Sequence, residues 1–147
     1  MRVSAKADYA IRAALELAAA DGSPLKGYEL AEAQAIPKGF LENILLDLRH
    51  ADIVGSQRGS EGGYWLTRPA EQVTVADVFR AVEGRITSVR GQAPEALSFA
   101  SVAYPLEQVW LAVEASLSRV LDGVSLAELV RDEVPSEIRA LAHIPST

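Results

Sequence analysis

The spacing of apolar and polar residues changes several times along the chain, and each change marks an element. Residues 5–20 are almost all apolar except Asp8, Arg12 and Glu16, which recur every four positions. This predicts a helix buried on most sides, with a charged ladder facing water and Asp8 paired to Arg12 across one turn. Its many alanines let neighbouring helices approach closely, and Asp21-Gly-Ser-Pro24 ends it. Residues 27–34 read as a short second helix anchored by Tyr28, Leu30 and Ala31. Ala35 and Ile36 make a turn, and Pro37 is expected to open a third helix, where its missing amide proton does no harm. Ile36 is a poor helix cap, so the first amides of that helix are left to water or to a phosphate.

In the third helix Leu41, Ile44, Leu45 and Leu48 form one apolar stripe. Asn43, Asp47 and Arg49 lie largely off it, with Glu42 beside it. Two extended runs follow, 53–58 and 64–69, joined by Gly59-Ser-Glu-Gly-Gly63, which predicts a hairpin with a loop longer than the tightest turns. A helix packed by one face and followed at once by a basic-tipped hairpin is how a winged helix-turn-helix meets DNA. The helix enters the major groove and the wing reaches the backbone or the minor groove.

Beyond the hairpin, Thr74 caps a helix over 74–82 with Val75, Val78, Phe79 and Val82 on its stripe, and Gly84 stops it. Residues 84–103 show no period and read as a loop or linker. Periodicity returns over 105–121, where Leu106, Val109, Trp110, Val113, Leu117, Val120 and Leu121 recur every three or four residues. This long amphipathic helix is a candidate dimerisation seam, the alternative being that the seam packs on its own chain. A short helix over 125–130 precedes a tail, 135–147, with few signals. The expected fold is mainly α with a small β-hairpin wing, a winged helix-turn-helix plus a long C-terminal dimerisation helix. The expected division is 1–84 for DNA binding, 85–104 as a linker or sensor-like loop, and 105–147 for the dimerisation helix and tail.

Charge tempers this picture. Over 147 residues, 14 Lys and Arg face 20 Asp and Glu, a net charge of −6. Residues 1–68 hold 8 basic and 9 acidic side chains, whereas 69–147 hold 6 and 11, so the acidity sits in the second half. DNA contact needs only a local positive footprint. The acidic balance leaves a second class open, a winged-helix scaffold or partner-regulated adaptor that binds protein and DNA only weakly. There is no cysteine, which removes disulfides, thiolate metal sites and cysteine nucleophiles. Gly59-Ser-Glu-Gly-Gly lacks the lysine of a phosphate loop, and no nucleophile–histidine pairing is evident, so an enzyme is not expected. No apolar run approaches the ~20 residues of a membrane span, and Met1-Arg-Val-Ser-Ala-Lys has no signal-peptide architecture, so a cytoplasmic protein with no membrane partner is expected.

Several separated motifs then fall into a known order: Lys6-Ala-Asp-Tyr9-Ala10, Arg58-Gly59, Gly62-Gly63-Tyr64, Leu66, Arg68-Pro69, Val75, Asp77-Val78, Val82-Glu83-Gly84, Trp110 and Val124-Ser-Leu-Ala-Glu-Leu129. The chain resembles, over about residues 1–131, the IscR/NsrR/CymR-type bacterial winged-helix transcriptional regulators (the Rrf-two family). The resemblance implies a homodimer with crossing C-terminal helices on palindromic promoter DNA. Many members hold an iron–sulfur cluster on three cysteines between the Val-Glu-Gly motif and the long helix. Here the position resembling the last of these is Tyr104, and the one that supplies a histidine in some members is Glu107. Ser88, Ser98 and Ser101 are high-pKa hydroxyls and do not replace thiolates. Asp8 matches an unusual first-helix carboxylate ligand, but the histidine expected one turn later is Arg12, which has no lone pair to offer. No cofactor and no metal are therefore expected.

Candidate DNA contacts follow from these placements. Arg58 matches the family's minor-groove arginine, drawn by the negative potential of a narrow groove. A carboxylate such as Glu42 accepts from a cytosine amino group, and an amide such as Asn43 pairs with adenine, although exposed Glu and Asn are common on any helix. Lys38 suits a phosphate and Phe40 a thymine methyl, unless Phe40 is core. Gln57, Ser60 and Tyr64 are phosphate donors that position without specifying, and Lys6 and Arg2 reach the backbone from the first helix. His50 and His143 lack a third ligand and read as surface residues, as does the acidic pair Asp132-Glu133. A small-molecule effector would find apolar walls in Phe99, Tyr104 and Trp110; a partner protein docking on the C-terminal half is the alternative regulator.

Overall fold

The computed structural model describes residues 1–143, so the last four residues of the expected tail lie outside the description. Helix α1 (Ala5–Ala19) is the axle of the molecule. Ala7, Ala10, Ala13 and Ala14 are fully buried, and their small side chains let four other helices and a strand close in around α1. Ser4 caps α1 by accepting from the Ala7 amide at 3.0 Å, and its hydroxyl donates to Glu83 far along the chain. The charged ladder forms, with Arg12 3.3 Å from Asp8, but only Asp8 is exposed. Arg12 lies over the Tyr9 ring, 4.8 Å from its centre, and Glu16 accepts from Gln34 of the second helix at 2.7 Å. The ladder thus holds neighbours as well as facing water.

Helix α2 (Gly27–Gln34) and helix α3 (Lys38–His50) form the helix-turn-helix, joined through Ala35 in the left-handed conformation. Leu30 anchors α2; Tyr28, expected beside it, is 70% exposed. Pro37 is itself the cap of α3, so the helix starts one residue later than expected, while Ile36 is buried in the core. The apolar stripe of α3 is buried as its spacing predicts. Strands β1 (Val54–Gln57) and β2 (Gly63–Leu66) pair antiparallel, Val54 opposite Leu66 and Gln57 opposite Gly63. Leu25 pairs with Tyr64 on the other side of β2 and anchors the hairpin to the chain between α1 and α2.

Helix α4 (Val75–Glu83) starts in a capping box, Thr74 and Asp77 each accepting the other's backbone amide. The segment expected to be a linker is docked. Ile86, Ala93, Pro94 and Leu97 are buried, and two short 3-10 turns, Pro94–Ala96 and Ser101–Ala103, lead to helix α5 (Leu106–Asp122). Helix α6 (Leu126–Val130) opens with a second capping box, Ser125 with Glu128, and the chain pairs there with the start of α4: the Leu126 amide reaches the Val73 carbonyl at 2.8 Å. Leu126 is fully buried in the same core as α1 and α3. The division expected at residue 105 is crossed at this point, since the stretch after α5 returns to the N-terminal core. Helix α7 (Ser136–Leu141) forms where few signals were seen, because six residues are too short to display a period; the Arg119–Glu137 pair ties it to α5. Among the described residues no helix is long and apolar enough to cross a membrane.

Candidate nucleic-acid interface

The core stripe of α3 leaves the opposite face of the helix in solvent, and Gly39, Glu42, Asn43, Leu46, Arg49 and His50 are all exposed there. The cap of α3 brings no side-chain hydrogen bond, and the first backbone bonds back to Pro37 come from Phe40 and Leu41. The amides of Lys38 and Gly39 are therefore left without an intrahelical partner at the end of the helix where Lys38 is exposed, an arrangement suited to a phosphate oxygen. Of the residues named from sequence, Lys38, Glu42 and Asn43 are exposed; the Asn43 amide donates to the Gly39 carbonyl at 3.3 Å.

Phe40 and Lys6, also named from sequence, each have a partner within the chain. Phe40 is 37% exposed and packs edge-on against Tyr9, ring centres 5.2 Å apart, on the flank of α3. Lys6 pairs with Asp47 at 2.6 Å, tying α1 to α3. It buttresses the helix and reaches a phosphate only by leaving that partner.

The wing tip spans Arg58 to Gly62, and Gln57, Arg58 and Ser60 are exposed on it. Its shape depends on a close approach at Gly62, where a Cβ would lie 2.0 Å from the Gln57 carbonyl oxygen. At Gly63 a Cβ would lie 2.7 Å from the Leu25 carbonyl oxygen, so glycine admits the strand-like pairing with Leu25. Tyr64 is half-buried against the core and is more a root of the wing than a phosphate donor at its tip. Sequence reasoning missed Lys26, whose ammonium donates to the Gly59 carbonyl, ties the wing tip to the start of α2 and adds positive charge beside Arg58. No local motif marked it, because the contact spans 33 positions. Also unforeseen is a groove of about 660 Å³ between α2 and α3, bordered by Tyr28, Lys38, Glu42 and Tyr64.

Of the six arginines in the second half, Arg80, Arg85, Arg119 and Arg131 are each paired with a carboxylate, while Arg90 and Arg139 make no ion pair among the described residues. The Arg80 guanidinium donates to both oxygens of Asp122 at 2.9 Å, which holds that carboxyl below its ordinary range and raises Arg80. Lys38, Arg49 and Arg58 make no ion pair among the described residues and are exposed, so their charge faces solvent on α3 and the wing. Glu42 and Glu61 lie there too and restrict the positive footprint to the helix start and the wing.

The expected seam on α5 divides. Leu117 and Leu121 pack on Phe79, Ala76 and Ile86 of their own chain, and Val120 borders a groove against α7. Val109 and Val113 remain 51% and 39% exposed, and no residue of α5 is fully buried. The three aromatics expected to wall an effector pocket do not enclose one: Tyr104 is 66% exposed, with Phe99 and Trp110 half-buried. A polar concavity lies instead between Met1, Phe79 and the 84–91 segment.

Residues 3–132 match the family described as Rrf2, iron-dependent transcriptional regulator. A Mycobacterium tuberculosis protein whose name places it among HTH-type transcriptional regulators is 43% identical over 97% of this chain and 89% of its own. The regulator IscR of Sodalis glossinidius is 33% identical over 90% of this chain and 81% of its own. Among solved structures, CymR, the global cysteine regulator of B. subtilis, superposes with a TM-score of 0.74 at 28% identity, covering 90% of this chain and 98% of that one. IscR of T. potens gives 0.72 at 30% identity, covering 100% and 94%. The chain belongs to the Rrf2 family of DNA-binding, winged-helix transcriptional regulators. The donor set does not fit an iron–sulfur cluster. The sequence has no cysteine, and the described residues contain no grouping of three His, Cys, Asp or Glu side chains that would hold a metal ion.

Proposed function

From membership in the Rrf2 family, we propose that this chain acts in the cytoplasm as a homodimer on an inverted-repeat promoter site and represses transcription by occupying it. The observation that carries this is the exposure of Asn43 and Glu42 on α3 and of Arg58 at the tip of the wing that adjoins it. Helix α3 enters the major groove, Arg58 reaches the backbone or the minor groove, and Lys38, Gln57 and Ser60 fix the register on phosphates. Two chains joined along the exposed stripe of α5 present two such heads, with half-site centres ~34 Å or a multiple apart. The family's iron–sulfur chemistry is not used, so any signal enters by another route, a small molecule or a partner protein.

The test is a mobility-shift titration against DNA from upstream of the protein's own gene. The wild type should bind selectively, with an affinity that falls steeply as salt rises. Arg58→Ala should remain a dimer and lose about tenfold or more in affinity, with a shallower salt slope. A wild-type dimer with no sequence preference at moderate salt would overturn the proposal.

A further inference from the structure

The outward meridian of α3 consists of Gly39, Asn43, Leu46 and His50, spaced four, three and four residues apart and directly opposite the buried Leu41, Ile44, Leu45 and Leu48. Three of these four suit a polar surface. Leu46 does not: it is 47% exposed at the centre of that outward face. No packing role within the chain accounts for it, since the core stripe is complete without it. Phe40, the other exposed apolar side chain of α3, is turned to the flank by its contact with Tyr9.

Resting on the placement of α3 in the major groove, we propose that Leu46 is a specificity-determining residue that reads the 5-methyl group of a thymine, next to a base pair read by Asn43. The thymine methyl is the one apolar group the major groove displays, and an aliphatic side chain on the groove-facing meridian buries it. Asn43 lies three residues, ~4.5 Å along the axis, before Leu46, close to one base-pair step of ~3.4 Å. An amide suits adenine, so the two side chains together select adjacent A·T pairs. Gly39, one turn earlier on the same meridian, has open space where a Cβ would stand and lets the helix start sit deep in the groove. The Lys6–Asp47 pair holds a nearby carboxylate back toward α1, away from the bases.

The probe is a duplex enriched by the full-length wild-type protein from a random-sequence library, resynthesised with deoxyuridine replacing one thymidine at a time. Binding is read by fluorescence anisotropy at fixed salt. One thymine per half-site should be found whose conversion to uracil weakens wild-type binding about fourfold, the equivalent of one buried methyl group. Leu46→Ala should bind the thymine and uracil forms of that position equally while keeping the wild-type melting temperature. Wild-type protein indifferent to every uracil replacement would overturn the assignment without any variant. So would a Leu46→Ala variant that retains the full uracil penalty. Failure to enrich any duplex would overturn instead the DNA-binding placement beneath it.

Discussion

Helices α3 and α5 carry apolar stripes of the same spacing, yet Leu41, Ile44, Leu45 and Leu48 are at most 4% exposed, whereas Val109 and Val113 are 51% and 39% exposed. The first stripe finds α1, α2, α4 and the first wing strand within its own chain. The second finds the Pro94–Ala96 turn and, through Leu117 and Leu121 at its far end, helix α4, but leaves Val109 and Val113 open. A stripe states that a helix needs a neighbour, but not whose. In this molecule the difference separates a unit that holds its own core from a helix whose exposed half is suited to a second copy.

The largest effect should come from cutting into the satisfied stripe. Leu48→Ala removes a fully buried side chain from the main core and should cost ~2–5 kcal/mol in a urea unfolding titration. A cost under ~1 kcal/mol would mean that α3 is not held as described. The open stripe should respond the other way. Val113→Asp should leave the unfolding of the subunit within ~0.5 kcal/mol of wild type. Its dimer dissociation constant, measured by sedimentation, should rise at least about tenfold because a charge enters the seam. Unchanged dimerisation would move the interface off α5.

Two smaller changes test how the regions are joined. Ser125→Ala removes the hydroxyl that caps α6 where the chain re-enters the core, and should cost ~1 kcal/mol in the same titration. The Arg80–Asp122 pair binds the end of α5 to α4. Because Arg80 lowers Asp122 from its ordinary 3.8, the pair stabilises the fold at neutral pH. That contribution is lost as the pH falls below 3.8 through the depressed folded value. Both side chains are about two-fifths exposed, so Asp122→Asn should cost under ~1 kcal/mol at pH 7. The gap to wild type should close in acid; a gap that widens there would show that the pair is not the source.

Legibility tracked the range of the interactions. The bounds of α2, the core stripe of α3, the hairpin and the Thr74 cap were visible because helix period, turn glycines and caps act within a few residues. The absence of cluster ligands was visible because it is a matter of composition. The docking of 86–97 was not, since its buried residues lack a period and are covered by distant elements. Lys26 was missed for the same reason, and Tyr28 was misplaced because an aromatic in a short helix gives no sign of which side is covered.

The sequence by itself determined the longer helices and the hairpin, their order, the faces that had to be hidden and the chemical groups available for binding, all of which depend on local spacing and residue type. Only the tertiary structure decided which of those faces were covered. It turned Phe40 aside onto Tyr9, drew Lys6 onto Asp47, returned Leu126 to the core and left Leu46 and Val113 in solvent. Burial is a relation between segments far apart in the chain, and the packing of α1 against its neighbours settles it.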